Sequence, residues 1–486
     1  MKLFENELNV KEINREDDFF EIGGNSMKIL PIYAGLKTTF PTARIQDFYD
    51  FRSVKNLAEH YDKQQVSVLD TKEHLPISGA NEIDGIRTNH QEIDDELNKI
   101  KKESVGFNHV LFTGATGFLG ANLLCELIKN STAKFYCIVR SIKEMQPFDR
   151  LKQTIEYYVG KDNAKRYLDN IEIVSGDFTT SFLGLEKEEY ERLAAKIDCI
   201  IHCAADVRHY GEPAEFINTN IEGTRVLLEL ASYSPKIHFH YMSTASIASI
   251  GKNYNEKPVF YESDFDFGQV LENQYLNSKF EAEKLVRTYK SKGVQTTIYR
   301  IGNLVGNSQD GKFQSNIDTN AFYRTVKAII LLHAAPIGGN SIDLTTIDYC
   351  SKTLTQIILQ QNKLEDTYHI RNLNAISWDD CVSAIQNLGY PILKMSERKF
   401  QEFVLSMENF EKRKEAISLI IADYQESSKE ENQEITIDCQ RTREFNKING
   451  IICPKPNDKL ISILLRYMVD VQFIPKPFNW EWIDNS

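Results

Sequence analysis

Six short apolar runs follow one another between residues 109 and 302: HVLFTG, KFYCIVR, IEIVSGD, CIIHCAA, HFHYMST and TTIYRIG. Their hydrophobicity is nearly continuous rather than alternating, as in strands buried on both faces of a parallel sheet. Amphipathic stretches separate them, among them residues 121–129 and 220–232. Strand then helix, repeated, predicts an α/β fold with a doubly wound parallel sheet. The flanks read differently. Residues 1–62 predict a small all-α module, with helices over 26–40 and 53–61, where Val54, Leu57 and Ala58 share a face. Residues 63–104 are polar, contain Pro76, Gly79 and Gly85, and read as a linker with one short amphipathic helix at 93–100. Residues 105–310 hold the sheet, and 311–486 form a smaller, mostly helical C-terminal lobe with a charged stretch at 402–432.

At about 150 residues per domain, 486 residues predict about three globular units. The net charge of −12 disfavours nucleic acid as a partner, since phosphate neutralisation needs a basic surface. The most apolar stretch, residues 328–339, is shorter than a bilayer span and contains His333 and Pro336. The first residues, MKLFENELN, lack the order of a signal peptide. A cytoplasmic protein with no membrane partner is expected. Eight cysteines form no C-x-x-C pair, and Cys199 and Cys203 flank His202 inside an apolar run, which reads as a buried strand and not a zinc site. The histidines show no metal-binding spacing, so no metal is expected.

Thr113-Gly114-Ala115-Thr116-Gly117-Phe118-Leu119-Gly120 follows the first strand and opens a helix. Glycines there allow a tight turn and close approach of backbone to a pyrophosphate, while the helix N-terminus offers free N–H groups. A dinucleotide site is predicted. About 20 residues further on, where an acid would bind a free ribose 2′-hydroxyl, the chain has Arg140 with no Asp or Glu beside it. A guanidinium suits a 2′-phosphate, so NADPH is favoured over NADH. Asp177, ending the third strand, is a candidate for the adenine edge, and the small Ala204 and Ala205 would let the cofactor lie close to the sheet.

Tyr275 and Lys279 stand four residues apart, on one face of a predicted helix. A nearby ammonium favours the phenolate, so Lys279 is expected to lower the Tyr275 pKa towards neutrality, making it a usable acid. Met242-Ser243-Thr244-Ala245 ends the preceding strand and offers a third donor.

These segments resemble the extended short-chain dehydrogenase/reductase superfamily over residues 108–306: TGATGFLG, the segment NIEGT at 220–224, and the trio Thr244, Tyr275 and Lys279. Within it, HCAADV, MSTAS, YLNSKFEAE, YRIGNLVG and DLTTID look like the thioester reductase domains that end nonribosomal peptide synthetases and carboxylic acid reductases. The resemblance implies Thr244, not Ser243, as the catalytic hydroxyl. The set of candidate cofactor contacts is Thr113, Gly114, Thr116, Gly117, Phe118, Leu119, Gly120, Arg140, Arg150, Asp177, Phe178, Ala204, Ala205, Asn220 and Lys279.

Asp17-Asp18-Phe19-Phe20-Glu21-Ile22-Gly23-Gly24-Asn25-Ser26-Met27 resembles the carrier-protein signature around the serine that receives 4′-phosphopantetheine, which points to Ser26. The glycines would present Ser26 at a helix start, where a phosphodiester is favoured, and Phe19 and Phe20 would anchor the loop. Gly338-Gly339-Asn340-Ser341 repeats the tetrapeptide without the D-x-F-F lead and is assigned no prosthetic group. Pro31 is expected to kink or shorten the helix after Ser26, with consequences for partner docking.

Together the resemblances imply NADPH-dependent release of a carrier-bound acyl or peptidyl thioester as an aldehyde, through a thiohemiacetal, with a second reduction giving the alcohol. The implied partners are upstream adenylation and condensation modules, in cis or in trans, and a phosphopantetheinyl transferase. The late start of the first helix suggests the terminal piece of a larger assembly line. A fragment of a carboxylic acid or fatty acyl thioester reductase is the alternative, and a non-catalytic docking module is the alternative from another class. A sugar-nucleotide epimerase would not carry the carrier serine, and a decayed cyclase would lack the tyrosine.

Overall fold

The computed structural model describes residues 2–8, 10, 13–24, 26–37, 39–40, 42–67, 106–141, 145–208, 211–248, 259–269, 271, 273–338, 341–360, 366–420 and 435–477. Residues 68–104 of the expected linker, with its helix at 93–100, lie outside them, as do Asn25 and Gly339 and Asn340 of the repeated tetrapeptide, while residues 63–67, expected as linker, continue the last helix of the first module. The chain divides into two compact units: residues 1–102, 210–212 and 401–428 in the first, and the remainder in the second.

The first unit is helical. Its helices are α1 (Lys2–Leu8), α2 (Ser26–Lys37), the single turn α3 (Asp47–Asp50) and α4 (Val54–Ser67). Phe4, Leu8, Phe19, Ile29, Ile32, Phe48, Leu57 and Tyr61 form its buried core. Pro31 does not end the helix: α2 runs through it to Lys37, three residues short of the expected end at 40. Proline removes one bond, to the carbonyl of Met27, and Pro31 is itself buried, so packing offsets the local loss. The helix at Met407–Ser418, far away in sequence, packs on α2, and Lys414 pairs with Glu7.

In the second unit, β1 (His109–Thr113), β2 (Lys134–Ile138), β3 (Ile171–Val174), β4 (Cys199–His202), β5 (His238–Thr244), β6 (Gln295–Ile301) and β7 (Thr367–Ile370) make one sheet. Its spatial order is β7-β6-β5-β4-β1-β2-β3 and every pairing is parallel. The six runs expected as strands all lie in it. The seventh strand was not anticipated, and it comes from beyond residue 310. Helices α5 (Phe118–Asn130), α6 (Pro147–Val159), α7 (Gly223–Ala231), α8 (Gln274–Ser291) and α9 (Ile347–Leu359) flank the sheet. Separate apolar clusters lie on its two faces, one around Phe112, Leu124 and Leu354, the other around Leu111, Leu227 and Tyr241.

The strand order reverses between β1 and β4, and in doubly wound sheets ligands bind at the carboxyl ends of the strands where this happens. No helix among the described residues is long and apolar enough to cross a membrane.

Candidate active site

The loop from β1 to α5 is shaped for a ligand by what its glycines exclude. Gly114 has φ of +77°, and a Cβ on it would stand 2.6 Å from the backbone nitrogen of Ala204. A Cβ on Gly120 would stand 2.1 Å from the carbonyl oxygen of Gly114. The first turn of α5 is therefore pressed against the loop, with Gly117 N–H donating to the Gly114 carbonyl at 2.9 Å. This bare-backbone cradle at a helix N-terminus fits the pyrophosphate of a dinucleotide.

Other residues of the predicted cofactor set divide by what their side chains touch. Thr113 is fully buried, its hydroxyl 2.7 Å from His202 Nδ1 and accepting from Ala204 N–H at 3.3 Å. Thr224 donates to the Asn220 carbonyl at 2.6 Å, so at 3.1 Å it accepts from His202 Nε2–H, which leaves Nδ1 to accept from Thr113. Burial and the Lys279 charge hold His202 neutral, down to about 3. Thr113 thus ties β1 to β4 beneath the cradle. Leu119 packs into the core. Phe118 meets Phe313 edge-on at 4.4 Å beside the cradle. Phe178 is buried against His202. Asp177 caps its own turn, accepting from Thr179 N–H at 2.9 Å. Thr116, Ala204 and Ala205 are partly exposed around the same loop ends.

Arg140 is exposed just past β2, and Arg150 Nη1 donates to its carbonyl at 3.2 Å. Burial and the Arg140 charge push the Arg150 pKa down. Two neighbouring guanidiniums suit a dianion such as a 2′-phosphate. Replacing Arg140 with alanine is expected to lower NADPH affinity about 10- to 100-fold and leave NADH affinity nearly unchanged, since a charge-assisted bond contributes about 1.5–3 kcal/mol. Fluorescence titration with both cofactors reads this, and equal losses for the two would refute the assignment.

Asn273 starts α8 by accepting from Leu276 N–H at 2.9 Å, which places Tyr275 in the first turn over the end of β5. Tyr275 is hydrogen-bonded to the Thr244 hydroxyl, and Thr244 also accepts from Ser246 N–H at 3.2 Å. One turn on, the buried Lys279 donates from Nζ to the Met242 carbonyl at 2.6 Å and lies 4.2 Å from the centre of the Tyr241 ring. Burial pushes Lys279 down to about 7, against the favourable charge of Glu283. The expectation that Lys279 lowers Tyr275 is not met. Burial pushes Tyr275 up to about 12, opposed by the Thr244 bond, while the ammonium is directed to Met242.

Asn220 lies in a π-helical turn, Ile217–Glu222, of the kind often found at functional sites. Its side chain accepts from Asp206 N–H at 2.7 Å and donates to the Asp206 carbonyl and to Ser278 Oγ at 2.8 Å. It therefore joins the loop after β4 to the helix bearing Tyr275. In the first unit, Gly24 packs so tightly on Phe19 that a Cβ would meet that ring at 2.4 Å. Phe19 is buried beside Phe4 and Phe48, and Phe20 stacks on Tyr49. These contacts hold the loop that leads into Ser26, the first residue of α2.

A switch-point glycine cradle and a Tyr–Lys helix over the end of β5 define an oxidoreductase of the extended short-chain dehydrogenase/reductase type. Residues 112–354, half of the chain, match the NAD-binding family model described as male sterility protein, and the chain belongs to that family. Residues 2–61 match the model of the phosphopantetheine attachment site. A thiolation-reductase di-domain from an archaeal non-ribosomal peptide synthetase is 27% identical with a TM-score of 0.77, over 97% of this chain and 96% of that one. The terminal reductase domain of the myxalamid pathway is 27% identical with a TM-score of 0.69, over 80% of this chain and 99% of that one. A linear gramicidin synthase polypeptide of Brevibacillus parabrevis is 28% identical over 82% of this chain, and the match spans 8% of that polypeptide's length.

Ser278, Glu283 and Arg300 receive no role from the sequence alone, and Ser243 is weighed there against Thr244 and set aside. Glu283 had a signal, lying four residues after Lys279 on the same helical face.

Proposed function

We propose that this chain reduces a thioester carried on a phosphopantetheine arm at Ser26 and releases the acyl or peptidyl group as an aldehyde. The observation that carries the reading is the union, in one chain, of an attachment-site module at residues 2–61 with the Tyr275–Thr244 site at the end of a dinucleotide-binding sheet. In this reading residues 1–62 are the carrier, 63–104 the tether and 105–310 the cofactor-binding core, which β7 and α9 complete from the segment 311–486; the rest of that segment, apart from 401–428 in the first unit, would cover the substrate.

NADPH bound at the cradle would supply the hydride. Thr244 and Tyr275 would donate hydrogen bonds to the thioester oxygen as negative charge develops on it. Tyr275, protonated throughout the neutral range, would give its proton to that oxygen. The tetrahedral thiohemiacetal would then collapse, breaking its C–S bond and releasing the pantetheine thiol and the aldehyde. A second hydride and a second proton would yield the alcohol. Lys279 would keep positive charge beside the hydroxyl pair. The partners implied are a phosphopantetheinyl transferase and, for loading, upstream adenylation and condensation modules in the cytoplasm.

Treating the protein with a phosphopantetheinyl transferase and acyl-coenzyme A is expected to add one acyl-phosphopantetheinyl mass, and NADPH then to release aldehyde or alcohol. Ser26→Ala is expected to abolish the mass gain while leaving reduction of a free acyl-pantetheine thioester intact. Loading without release of any reduced product overturns the reading.

A further inference from the structure

Ser243, Arg300 and His369 occupy one register row across three adjacent strands, Ser243 paired with Arg300 and Arg300 with His369. All three are buried, and Glu283 descends on the row from α8, itself with no exposed surface. Its carboxylate receives the Ser243 hydroxyl at 2.7 Å, Arg300 Nη2 at 2.7 Å and Nε at 3.2 Å, and Arg287 Nη2 at 3.0 Å. Arg300 also donates from Nη1 to His369 Nε2 at 3.0 Å and from Nη2 to the Asp264 carbonyl at 2.6 Å.

A buried ion pair is weak evidence for stability, because well-packed apolar residues often serve as well. Its placement here has another consequence. Three successive turns of α8 grip three consecutive residues at the end of β5: Tyr275 holds the Thr244 hydroxyl, Lys279 the Met242 carbonyl, and Glu283 the Ser243 hydroxyl. The last grip is the one anchored from a second strand, through Arg300. We infer that Glu283, fixed by Arg300, is a positioning residue that sets the register of the Tyr275 helix on the Thr244 strand. This deepens the thioester-reductase reading and rests on it.

The electrostatics point the same way. The groups around Lys279 are Glu283 on its own helix, His202 and Cys203 at the end of β4, and Tyr241 on β5. Of these, only Glu283 is held ionised: burial would raise its carboxyl, yet Arg300 and Arg287 hold it below the usual range. Around Glu283 stand Arg287, Arg300, His369, Tyr241 and Ser243. Neutralising it leaves the Arg287 and Arg300 charges less compensated and removes the carboxylate that favours the Lys279 ammonium. The Lys279 pKa must then fall.

Two variants of the full chain test this, using the best-reduced member of a panel of acyl-pantetheine thioesters with NADPH. Ser243→Ala deletes one hydroxyl and leaves the ion pair whole. It is expected to lower kcat about tenfold with both KM values unchanged, since the lost bond is to a charged group. Glu283→Gln is expected to move the alkaline limb of the kcat/KM profile to lower pH, a shift that a merely structural role would not produce. If Glu283→Gln does not fold, Ser243→Ala decides alone. Ser243→Ala turnover within twofold of the parent, or a folded Glu283→Gln with an unmoved limb, overturns the inference. Parent protein that reduces no thioester would instead refute the reading beneath it.

Discussion

Tyr275→Phe is expected to lower kcat for thioester reduction by about 10²–10⁴-fold, the usual contribution of a positioned general acid. The substitution removes one oxygen and keeps the ring, so α8 and its contacts persist. Thr244 would remain as a hydrogen-bond donor, held in place by Ser246 N–H, and this residual donor keeps the loss below total. NADPH affinity is expected to be unchanged, because the cradle lies on the β1–α5 loop and contains no part of Tyr275. Stopped-flow NADPH oxidation, with a parallel fluorescence titration, separates the two effects. Loss of NADPH binding together with turnover would show that Tyr275 supports the cofactor and does not supply the proton.

Gly120→Ala carries the second large effect. The added Cβ would lie 2.1 Å from the Gly114 carbonyl oxygen, a backbone atom with no flexible end to swing away. Either α5 lifts from the loop or the loop moves, and in both cases the N–H groups facing the pyrophosphate lose their geometry. Overpacking of this kind costs about 1–3 kcal/mol of stability. NADPH binding is expected to fall by more than about tenfold, because the strain is released by opening the cradle. Gly117→Ala is the control. Its Cβ would meet the same carbonyl at 3.3 Å, which a shift of a few tenths of an ångström relieves, so its melting temperature should stay close to the parent's. A Gly120→Ala protein that binds NADPH with parental affinity would refute the cradle as the phosphate site.

The parts of the site that were readable in the sequence are those whose geometry is local. Gly120 is forced by a close contact within the β1–α5 loop, whereas the approach of Gly114 to Ala204 is made only by the fold. Tyr275 and Lys279 share a helix face by spacing alone. The strands were readable because parallel strands buried on both faces must be apolar throughout. The seventh strand, Thr367–Ile370, was not, because its short run is bounded by charged and polar residues, Glu365-Asp366 before it and Arg371-Asn372 after it, and lies beyond the regular strand–helix alternation. Helix α2 continues past Pro31 because the penalty for proline is local, while tertiary burial of Ile29, Ile32 and Tyr33 holds the helix.

Sequence order therefore accounts for the α/β class, the small helical module ahead of it, the phosphate loop and the identity of the reactive pair. Each of these follows from periodicity or from residues a few positions apart. What the fold had to supply was everything that depends on register between distant strands. Ser243 and Arg300 are 57 residues apart along the chain, and Arg300 and His369 are 69 apart, by difference of their numbers, yet the three form one row. The protonation of the reactive groups belongs to the same level. Burial sets Tyr275 at about 12 and Lys279 at about 7, and desolvation is a property of the packed protein that no spacing of residues encodes.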